Sequence, residues 1–280
     1  MRVAHHETED ASWVVAQRAT APELRPFLLG RLEGWEQTRG VRNSLREVPF
    51  PGIPLILDLG SGWEIEGPGD AARRTRRMFV AGIHASPTVV TPHSTTWTCI
   101  ELRLTPLAAR RILGLPMHEL VDRTIELDDL VPAGRELGER LRETGSWERR
   151  FELVEDFLVQ RLADSVPPPA GMEWCWRRLQ RTGGRASIRA LGAELGWSHK
   201  RLIARFRDHI GPNPKTVARV IRFDHTVTLL RSPARKGLGQ IAYECGYADQ
   251  AHLNREFRQL AATTPTAFLT AGLDSGGVAA

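Results

Sequence analysis

The stretch CGYADQAHLNREF at residues 245–257 decides the fold, and LGWSHKRLIARF at residues 195–206 repeats its pattern. In both stretches a glycine and an aromatic residue precede a segment whose leucine and phenylalanine stand four residues apart, as Leu253 and Phe257 do. This spacing puts the two apolar side chains on one face of a helix and leaves polar side chains on its other faces. Corresponding positions lie 50 residues apart before the turn and 51 after it, which indicates two copies of one unit.

Each copy has the order short helix, glycine-aromatic turn, second helix and proline stop. The first copy occupies residues 187–214 and the second occupies residues 237–268. A glycine allows the sharp turn of a helix-turn-helix unit, whose second helix enters the major groove of DNA. A longer amphipathic helix at 214–232 joins the copies. About 17 helical residues span roughly 26 Å, and adjacent major grooves on one DNA face lie about 34 Å apart, so we expect one chain to reach two grooves.

The charge of the chain is unevenly distributed. Residues 171–280 contain 17 Lys and Arg against 8 Asp and Glu, whereas residues 1–170 contain 21 against 25. A basic C-terminal part indicates a polyanionic partner, of which double-stranded DNA is the simplest, with an ordinary solvated surface as the alternative.

Composition also excludes several classes of protein. No apolar run approaches the roughly 18–20 residues of a membrane span, and the N-terminus lacks the apolar core of a signal peptide, so we expect no membrane partner. The cysteines at 99, 175 and 245 stand far apart, which favours a reducing compartment over disulfides or a zinc ribbon.

The stretch SVPPPAG at 165–171 marks the clearest domain boundary. Three consecutive prolines cannot continue a helix and favour an extended segment. We therefore predict a first domain at 1–165, a linker at 166–171, a DNA-binding domain at 172–270 and a disordered tail at 271–280.

The first domain has a β-rich pattern followed by helices. Short apolar stretches between Gly, Pro and polar clusters fill residues 1–104 and predict a β-sandwich or small barrel. Thr105 and Pro106 suit the start of a short helix. Segments 133–143 and 146–164 predict a helical hairpin that either packs on its own domain or forms a dimer seam. The fold class is therefore two-domain α+β, with an all-α second domain.

Residues 172–268, which include GYADQAHLNREFRQLAATTPTAF and LGWSHKRLIARFRDHIGPNPK, resemble the double helix-turn-helix domain of AraC-type transcription regulators. LRLTPLAARRILGLPMHELVDRTIELDDL at 102–130 is similar to the end of the effector domain in actinobacterial-type members. The resemblance implies a bacterial, cytoplasmic, sequence-specific DNA-binding regulator with an N-terminal domain, often cupin-like, for a small-molecule effector or for homodimerisation. RNA polymerase is a further candidate partner, and activation or repression stays open.

The base-reading positions of the family are located by aligning the two units on their core leucines. In the second unit they fall at Gln250, Ala251, Asn254 and Arg255. Arg255 is suited to donate two hydrogen bonds to guanine O6 and N7, and Gln250 or Asn254 to pair with adenine. Arg258 is a candidate phosphate contact, and Asp249 is the predicted N-cap.

In the first unit the matching positions are Lys200, Ile203 and Ala204, with His199 beside them and Arg207 as a candidate phosphate contact. The family often has an arginine where Ala204 stands. We therefore expect Ile203 and Ala204 to contact a thymine methyl group and the first helix to read few bases by hydrogen bonding.

The second unit departs from the first at its end, where Ala262 replaces Gly211. A left-handed C-cap costs alanine on the order of 1 kcal/mol. The sequence thus predicts that the second recognition helix ends in a different way from the first.

The N-terminal domain offers candidate effector-binding residues but no catalytic set, so we expect no enzyme activity and no cofactor. The candidates are Trp63, Phe79, His84, His93 and Trp97, which a packed core explains equally well. A cupin metal site normally needs an HxH pair with further Glu and His residues, which the sequence lacks, so we predict no metal. The run RRTRR at 73–77 predicts a solvated loop, with binding of an anionic ligand or of the DNA backbone as the alternative.

Two other function classes stay open on the sequence. One is a cupin-like enzyme with an accessory DNA-binding domain, which the missing metal ligands oppose. The other is an RNA-binding or nucleoid-associated protein, which would show little preference among duplex sequences.

Overall fold

The computed structural model of the chain describes residues 1–67, 74–234, 236–270 and 278–279. The strands in these residues are β1 (Arg2–Glu7), β2 (Ser12–Arg18), β3 (Leu32–Arg39), β4 (Leu45–Glu47), β5 (Ile53–Asp58), β6 (Trp63–Glu66), β7 (Arg74–Arg76), β8 (Met78–Ala81), β9 (Thr88–Pro92), β10 (Trp97–Leu104), β11 (Thr124–Glu126) and β12 (Val278–Ala279).

The helices are α1 (Pro106–Leu113), α2 (Leu127–Leu130), α3 (Ala133–Glu143), α4 (Trp147–Ala163), α5 (Ala170–Arg181), α6 (Ile188–Glu194), α7 (His199–His209), α8 (Pro214–Arg231), α9 (Leu238–Cys245), α10 (Gln250–Ala261) and α11 (Pro265–Thr270). Met117–Glu119 forms a 3₁₀ turn. The β-rich first part and the helical second part confirm the predicted fold class. No helix in the described part of the chain is long and apolar enough to cross a membrane.

The strands form two antiparallel sheets, in the orders β1-β2-β3-β10-β5-β8-β11 and β12-β4-β9-β6-β7. Alternation along β10 gives the larger sheet two different faces. Ile100 and Leu102 join the main apolar core on the helix side, whereas Cys99, Glu101 and Arg103 line a cavity on the other side. The larger sheet thus separates the packed core of the domain from a cavity that lies against the second sheet.

Helices α1, α3 and α4 cover the core side of the larger sheet. Thr105 Oγ1 accepts a hydrogen bond from the Ala108 amide at 3.2 Å, and Pro106 occupies the first turn, which confirms the predicted start of α1. Helices α3 and α4 form the predicted hairpin, and Phe151 and Leu158 of α4 are buried within the chain. The apolar side of α4 therefore packs on its own domain.

Strand β3 has a glycine in its middle because another side chain lies there. A Cβ on Gly34 would stand 2.2 Å from Cζ3 of Trp147, the first residue of α4. A glycine inside a strand lowers its β-propensity but permits such a close approach.

The predicted solvated loop at 73–77 is wrong for Arg74–Arg76, which form β7 and pair with β6. Arg76 Nη2 donates to the Thr124 carbonyl at 3.1 Å, so this side chain ties β7 to the end of the larger sheet. Pairing with β6 provides hydrogen-bond partners for the backbone of this segment. A run of charged residues does not by itself predict such strand pairing. Arg73 lies outside the described residues.

The C-terminal helices divide between two apolar clusters. One cluster runs from the N-terminal sheet through α5–α7 into the first part of α8, so apolar packing continues past the proline-rich segment at 166–171. The other contains the end of α8 with α9–α11, and Val48 and Ala85 of the N-terminal domain pack against it. Of the predicted tail, residues 271–277 and 280 lie outside the described residues, and Val278 pairs with Arg46.

Candidate nucleic-acid interface

The turn of the first helix-turn-helix unit depends on Gly196, whose φ of +64° lies in the left-handed region. The Trp197 amide then donates to the Gly192 carbonyl at 2.8 Å, which closes the end of α6. Ser187 caps α6, with Oγ accepting from the Ala190 amide at 3.3 Å. Ser198 caps α7 in the same way. These bonds satisfy backbone groups that a helix end otherwise leaves unpaired.

The second unit repeats this turn 50 residues later. Gly246 has a φ of +78°, and the Tyr247 amide donates to the Ala242 carbonyl at 2.9 Å. Asp249 caps α10 as predicted, because its Oδ1 accepts from the His252 amide at 2.6 Å. The sequence repeat is therefore a repeat of backbone hydrogen bonding as well as of side-chain pattern.

The apolar side of each second helix is buried and its opposite side is exposed. Phe206 of α7 and Phe257 of α10 have exposed fractions of 0% and 1%. On α7 the exposed candidates are His199, Lys200, Ala204 and Arg207, and Ile203 is half-buried. On α10 the exposed candidates are Gln250, Ala251, Arg255 and Arg258, and Asn254 is half-buried. The structure thus brings each predicted set together along one helix.

Helix α8 connects the units and packs into both. Val217 lies in the cluster shared with the first unit, and Phe223 lies in the cluster of the second unit. Its N-terminus is capped by Asn213, whose Oδ1 accepts from the Thr216 amide at 3.0 Å. Arg219 Nε donates to Glu256 Oε1 at 2.8 Å, and a second Arg219 nitrogen donates to Gln259. Arg219 lies on a basic helix and is therefore a candidate phosphate ligand. In the structure its side chain instead holds α8 against α10.

The first unit also contacts the N-terminal domain. Arg110 Nη2 of α1 lies 3.4 Å from Asp208 Oδ1 near the end of α7. Gly211 follows α7 with a φ of +110°, and a Cβ there would stand 3.0 Å from the Met117 carbonyl oxygen. The C-terminal end of α7 therefore meets the N-terminal domain, while His199, Lys200 and Ala204 nearer its start stay exposed, as does Arg207.

The two recognition helices end differently, as expected, because the C-cap of α7 is Ile210 with a φ of −122°, but Ala262 after α10 does adopt the left-handed conformation. Its φ of +53° and ψ of +23° are left-handed, and its amide donates to the Arg258 carbonyl. The second unit therefore ends its recognition helix in the conformation that glycine prefers, although it carries alanine. Ala262 adopts this conformation against the conformational propensity of alanine. The chain turns here towards Pro265, the buried first residue of α11.

We expect Ala262→Gly to stabilise the second unit by about 1 kcal/mol, because glycine adopts the left-handed conformation without a Cβ clash. Ala261→Gly is the matched control, since Ala261 is a buried residue of α10 and glycine there should destabilise by roughly 0.5–1 kcal/mol or more. Urea unfolding of both variants measures the two free energies. A loss of stability in Ala262→Gly equal to that in Ala261→Gly would show that residue 262 carries no backbone strain.

One exposed aromatic side chain near this surface was not singled out from the sequence. Tyr243 on α9 is 83% exposed, whereas Ile241, Ala242 and Cys245 of the same helix are buried. The sequence does indicate the exposure of Tyr243, because this residue stands two positions from Ile241 and from Cys245 and so lies off the apolar face of α9.

The N-terminal domain contains a cavity of about 530 Å³ between its two sheets. Trp63, Phe79, His84 and Trp97 line it, and His93 lies outside its wall, with Nδ1 3.5 Å from Glu64 Oε1. Further wall residues that the sequence did not single out are Trp13, Trp35, Glu47, Phe50, Glu101 and Arg103. Strand alternation along β10 could have suggested Glu101 and Arg103, which lie on the face opposite Ile100 and Leu102.

Burial and neighbouring charges shift the pKa values of the polar residues in the cavity wall. Burial, helped by neighbouring Glu101, raises the pKa of Glu47 to about 7, although Arg103 and Arg231 act against this shift. Burial also lowers the pKa of His84, which favours the neutral imidazole at pH 7. Burial alone would lower the pKa of Arg103, but Glu101 and Glu47 raise it. The wall therefore carries ionised Arg103 beside two carboxyl groups.

No group of three or more His, Cys, Asp and Glu side chains within the described ranges could hold a metal ion. All three cysteines are buried free thiols.

The comparisons agree with the helix-turn-helix geometry. The family described as a helix-turn-helix domain matches residues 191–271. ToxT from Vibrio cholerae has a similar fold: at 12% identity the alignment covers 94% of this chain and 98% of that chain, with a TM-score of 0.51. ToxT with a bound unsaturated fatty acid aligns over 90% of this chain and 96% of that chain, at 14% identity and a TM-score of 0.51. No curated protein matches the sequence.

Proposed function

We propose that this chain, which carries an AraC-type helix-turn-helix domain at its C-terminus, is a sequence-specific DNA-binding transcription regulator that inserts α7 and α10 into adjacent major grooves. One observation supports this proposal above others. Two helices with buried apolar sides and exposed polar sides follow turns that are closed by the same backbone hydrogen bond, and one 18-residue helix that packs into both units joins them.

The residues on the two helices have different roles in the proposal. On α10, Arg255 and Gln250 read base edges, because guanidinium and amide groups match guanine and adenine in the major groove. On α7, Ile203 and Ala204 supply apolar contact, and Lys200 supplies charge. Arg207 and Arg258 bind phosphates, which adds affinity without sequence preference.

The N-terminal cavity supplies the effector site of the proposed regulator. Its volume of about 530 Å³ lies within the range of roughly 300–1,000 Å³ that is usual for small-molecule pockets. ToxT, which shares the fold, has been described with an unsaturated fatty acid bound. The chain acts in this proposal as a ligand-controlled protein of the cytoplasm, without catalysis, and RNA polymerase is the partner through which it changes transcription. Engagement of both grooves needs a single copy of the chain.

The base-reading role is tested by Arg255→Ala on a duplex selected from a random pool. Loss of a bidentate contact should weaken specific binding by about 1–3 kcal/mol, roughly 5- to 150-fold, with little change on a scrambled duplex. Arg258→Ala is the matched control: it should weaken both duplexes alike and lower the salt slope by about 1. Fluorescence anisotropy at several salt concentrations measures these quantities.

If Arg255→Ala weakens selected and scrambled duplexes equally, Arg255 binds the backbone and the base-reading role is wrong. If the selection recovers no preferred duplex, the regulator proposal fails and a nonspecific nucleic-acid-binding protein takes its place.

A further inference from the structure

Several aromatic side chains line the wall of the N-terminal cavity. Four indole rings line it, those of Trp13, Trp35, Trp63 and Trp97, together with the rings of Phe50 and Phe79. Trp63 and Trp97 meet edge to face, with ring centroids 5.0 Å apart. Aromatic faces carry partial negative charge, so a wall of this kind attracts flat aromatic molecules and cations, with tryptophan as the strongest partner.

The charged residues of the same wall add to this preference. Among the described lining residues they are Glu47, Glu101 and Arg103. Arg103 Nε donates to Glu101 Oε1 at 2.9 Å, and its guanidinium lies over the Phe50 ring at 5.0 Å. Arg103 is thus engaged on two sides within the wall, and Glu47 is the carboxyl group in excess.

A cationic ligand would offset the unfavourable free energy of burying the Glu47 carboxylate. Withdrawing a carboxylate from water is unfavourable unless a positive charge compensates for it. Arg103 pairs with Glu101, and both Arg103 and Arg231 also act on Glu47, yet the effect of burial on the pKa of Glu47 is larger than theirs. An anionic ligand would instead add a third acidic group to a wall in which Arg103, the one Lys or Arg among the described lining residues, is already paired with Glu101.

We propose that the cavity binds a flat aromatic cation, with its ring among the tryptophans and its positive charge against Glu47. This ligand class rests on the proposed effector role of the cavity and makes that role specific. It differs from the fatty acid described for ToxT, whose charge has the opposite sign.

Glu47 also lies next to the second helix-turn-helix unit. Glu47 ends β4, and the next residue, Val48, lines the cavity and packs against the cluster of α9–α11. Arg231 at the end of α8 interacts electrostatically with Glu47. A cation paired with Glu47 would weaken this attraction, so the proposed ligand would lie beside the unit that carries Arg255.

The test uses three probes of nearly equal size in isothermal titration calorimetry with the full chain and no DNA: 1-methylquinolinium, its neutral isostere 1-methylnaphthalene, and 1-naphthoate. We expect the cation to bind at least roughly tenfold more tightly than the neutral isostere. Glu47→Gln should remove most of this preference while the neutral isostere keeps its affinity, which shows that the variant retains a folded cavity.

The pH gives a second readout, because the quaternary probe does not titrate. The groups that act on Glu47 are Glu101 and Arg103 from β10 and Arg231 from α8. Affinity for the cation should rise from pH 6 to pH 8 as Glu47 ionises, and Glu47→Gln should abolish this rise.

Tightest binding of 1-naphthoate, a preference for the cation that survives Glu47→Gln, or no binding of any probe would each overturn the proposal. Because the titration contains no DNA, such a result leaves DNA recognition by α7 and α10 untouched. Failure of the duplex selection would equally leave the calorimetric result standing.

Discussion

Phe257→Ala is expected to destabilise the second helix-turn-helix unit by about 3–5 kcal/mol, a large share of the 5–15 kcal/mol typical of a folded domain. Phe257 is 1% exposed, and its ring lies 5.0 Å from Phe223 and 5.4 Å from Phe268. Its truncation therefore opens a cavity where α8, α10 and α11 meet. The loss combines the transfer free energy of the ring with the cost of the unfilled space.

The loss should be local, because the second unit has an apolar cluster of its own. Amides of α9–α11 should exchange with solvent sooner in Phe257→Ala, and those of the N-terminal sheet and α7 should stay protected. Specific DNA affinity should fall towards that of one unit. Hydrogen exchange followed by mass spectrometry measures the first effect, and anisotropy measures the second.

Phe206→Ala is the matched control, since Phe206 occupies the same repeat position and is fully buried in the cluster that continues into the N-terminal domain. Its loss should lower protection in α5–α7 and in the sheet together. Equal loss of protection across the whole chain in Phe257→Ala would show that the two clusters unfold as one.

Much of the C-terminal domain could be predicted because its determinants are local in sequence. The caps Ser187 and Asp249 and the turn glycines 196 and 246 act within four or five residues of themselves. Burial of Leu253 and Phe257 follows from their spacing on one turn of helix. The same reasoning yielded the helical hairpin at α3 and α4.

Contacts between distant residues account for what the sequence did not predict. Gly34 in β3 is explained by Trp147, more than a hundred residues later. The pairing of Arg219 with Glu256 joins two helices across 37 residues. The left-handed Ala262 opposes its own propensity. The cavity wall combines strands from both sheets. The sequence therefore did not predict that Glu47 of β4 would line the same cavity as Glu101 and Arg103 of β10.

The second large effect concerns the coupling of the two units by α8. Its 18 residues span about 27 Å at 1.5 Å per residue, and the Arg219–Glu256 ion pair fixes α10 against it. A rigid connection of this length matches two half-sites one helical turn apart and no other spacing. Engagement of both half-sites by one chain should strengthen binding about 10²- to 10⁴-fold over a single half-site.

Inserting five base pairs between the half-sites of the selected duplex turns the second half-site to the opposite face of the DNA. Inserting ten restores the face but moves the half-site about 34 Å further along the axis. A flexible tether would recover affinity at ten base pairs, whereas a rigid α8 would not. A duplex with one half-site scrambled serves as the reference for single-unit binding.

Anisotropy titration of these four duplexes at one salt concentration tests the central claim most directly. We predict that both insertions bind about as weakly as the duplex with one half-site, and that only the unmodified duplex binds tightly. Full affinity after either insertion would contradict two helix-turn-helix units held by α8 for simultaneous insertion into neighbouring grooves.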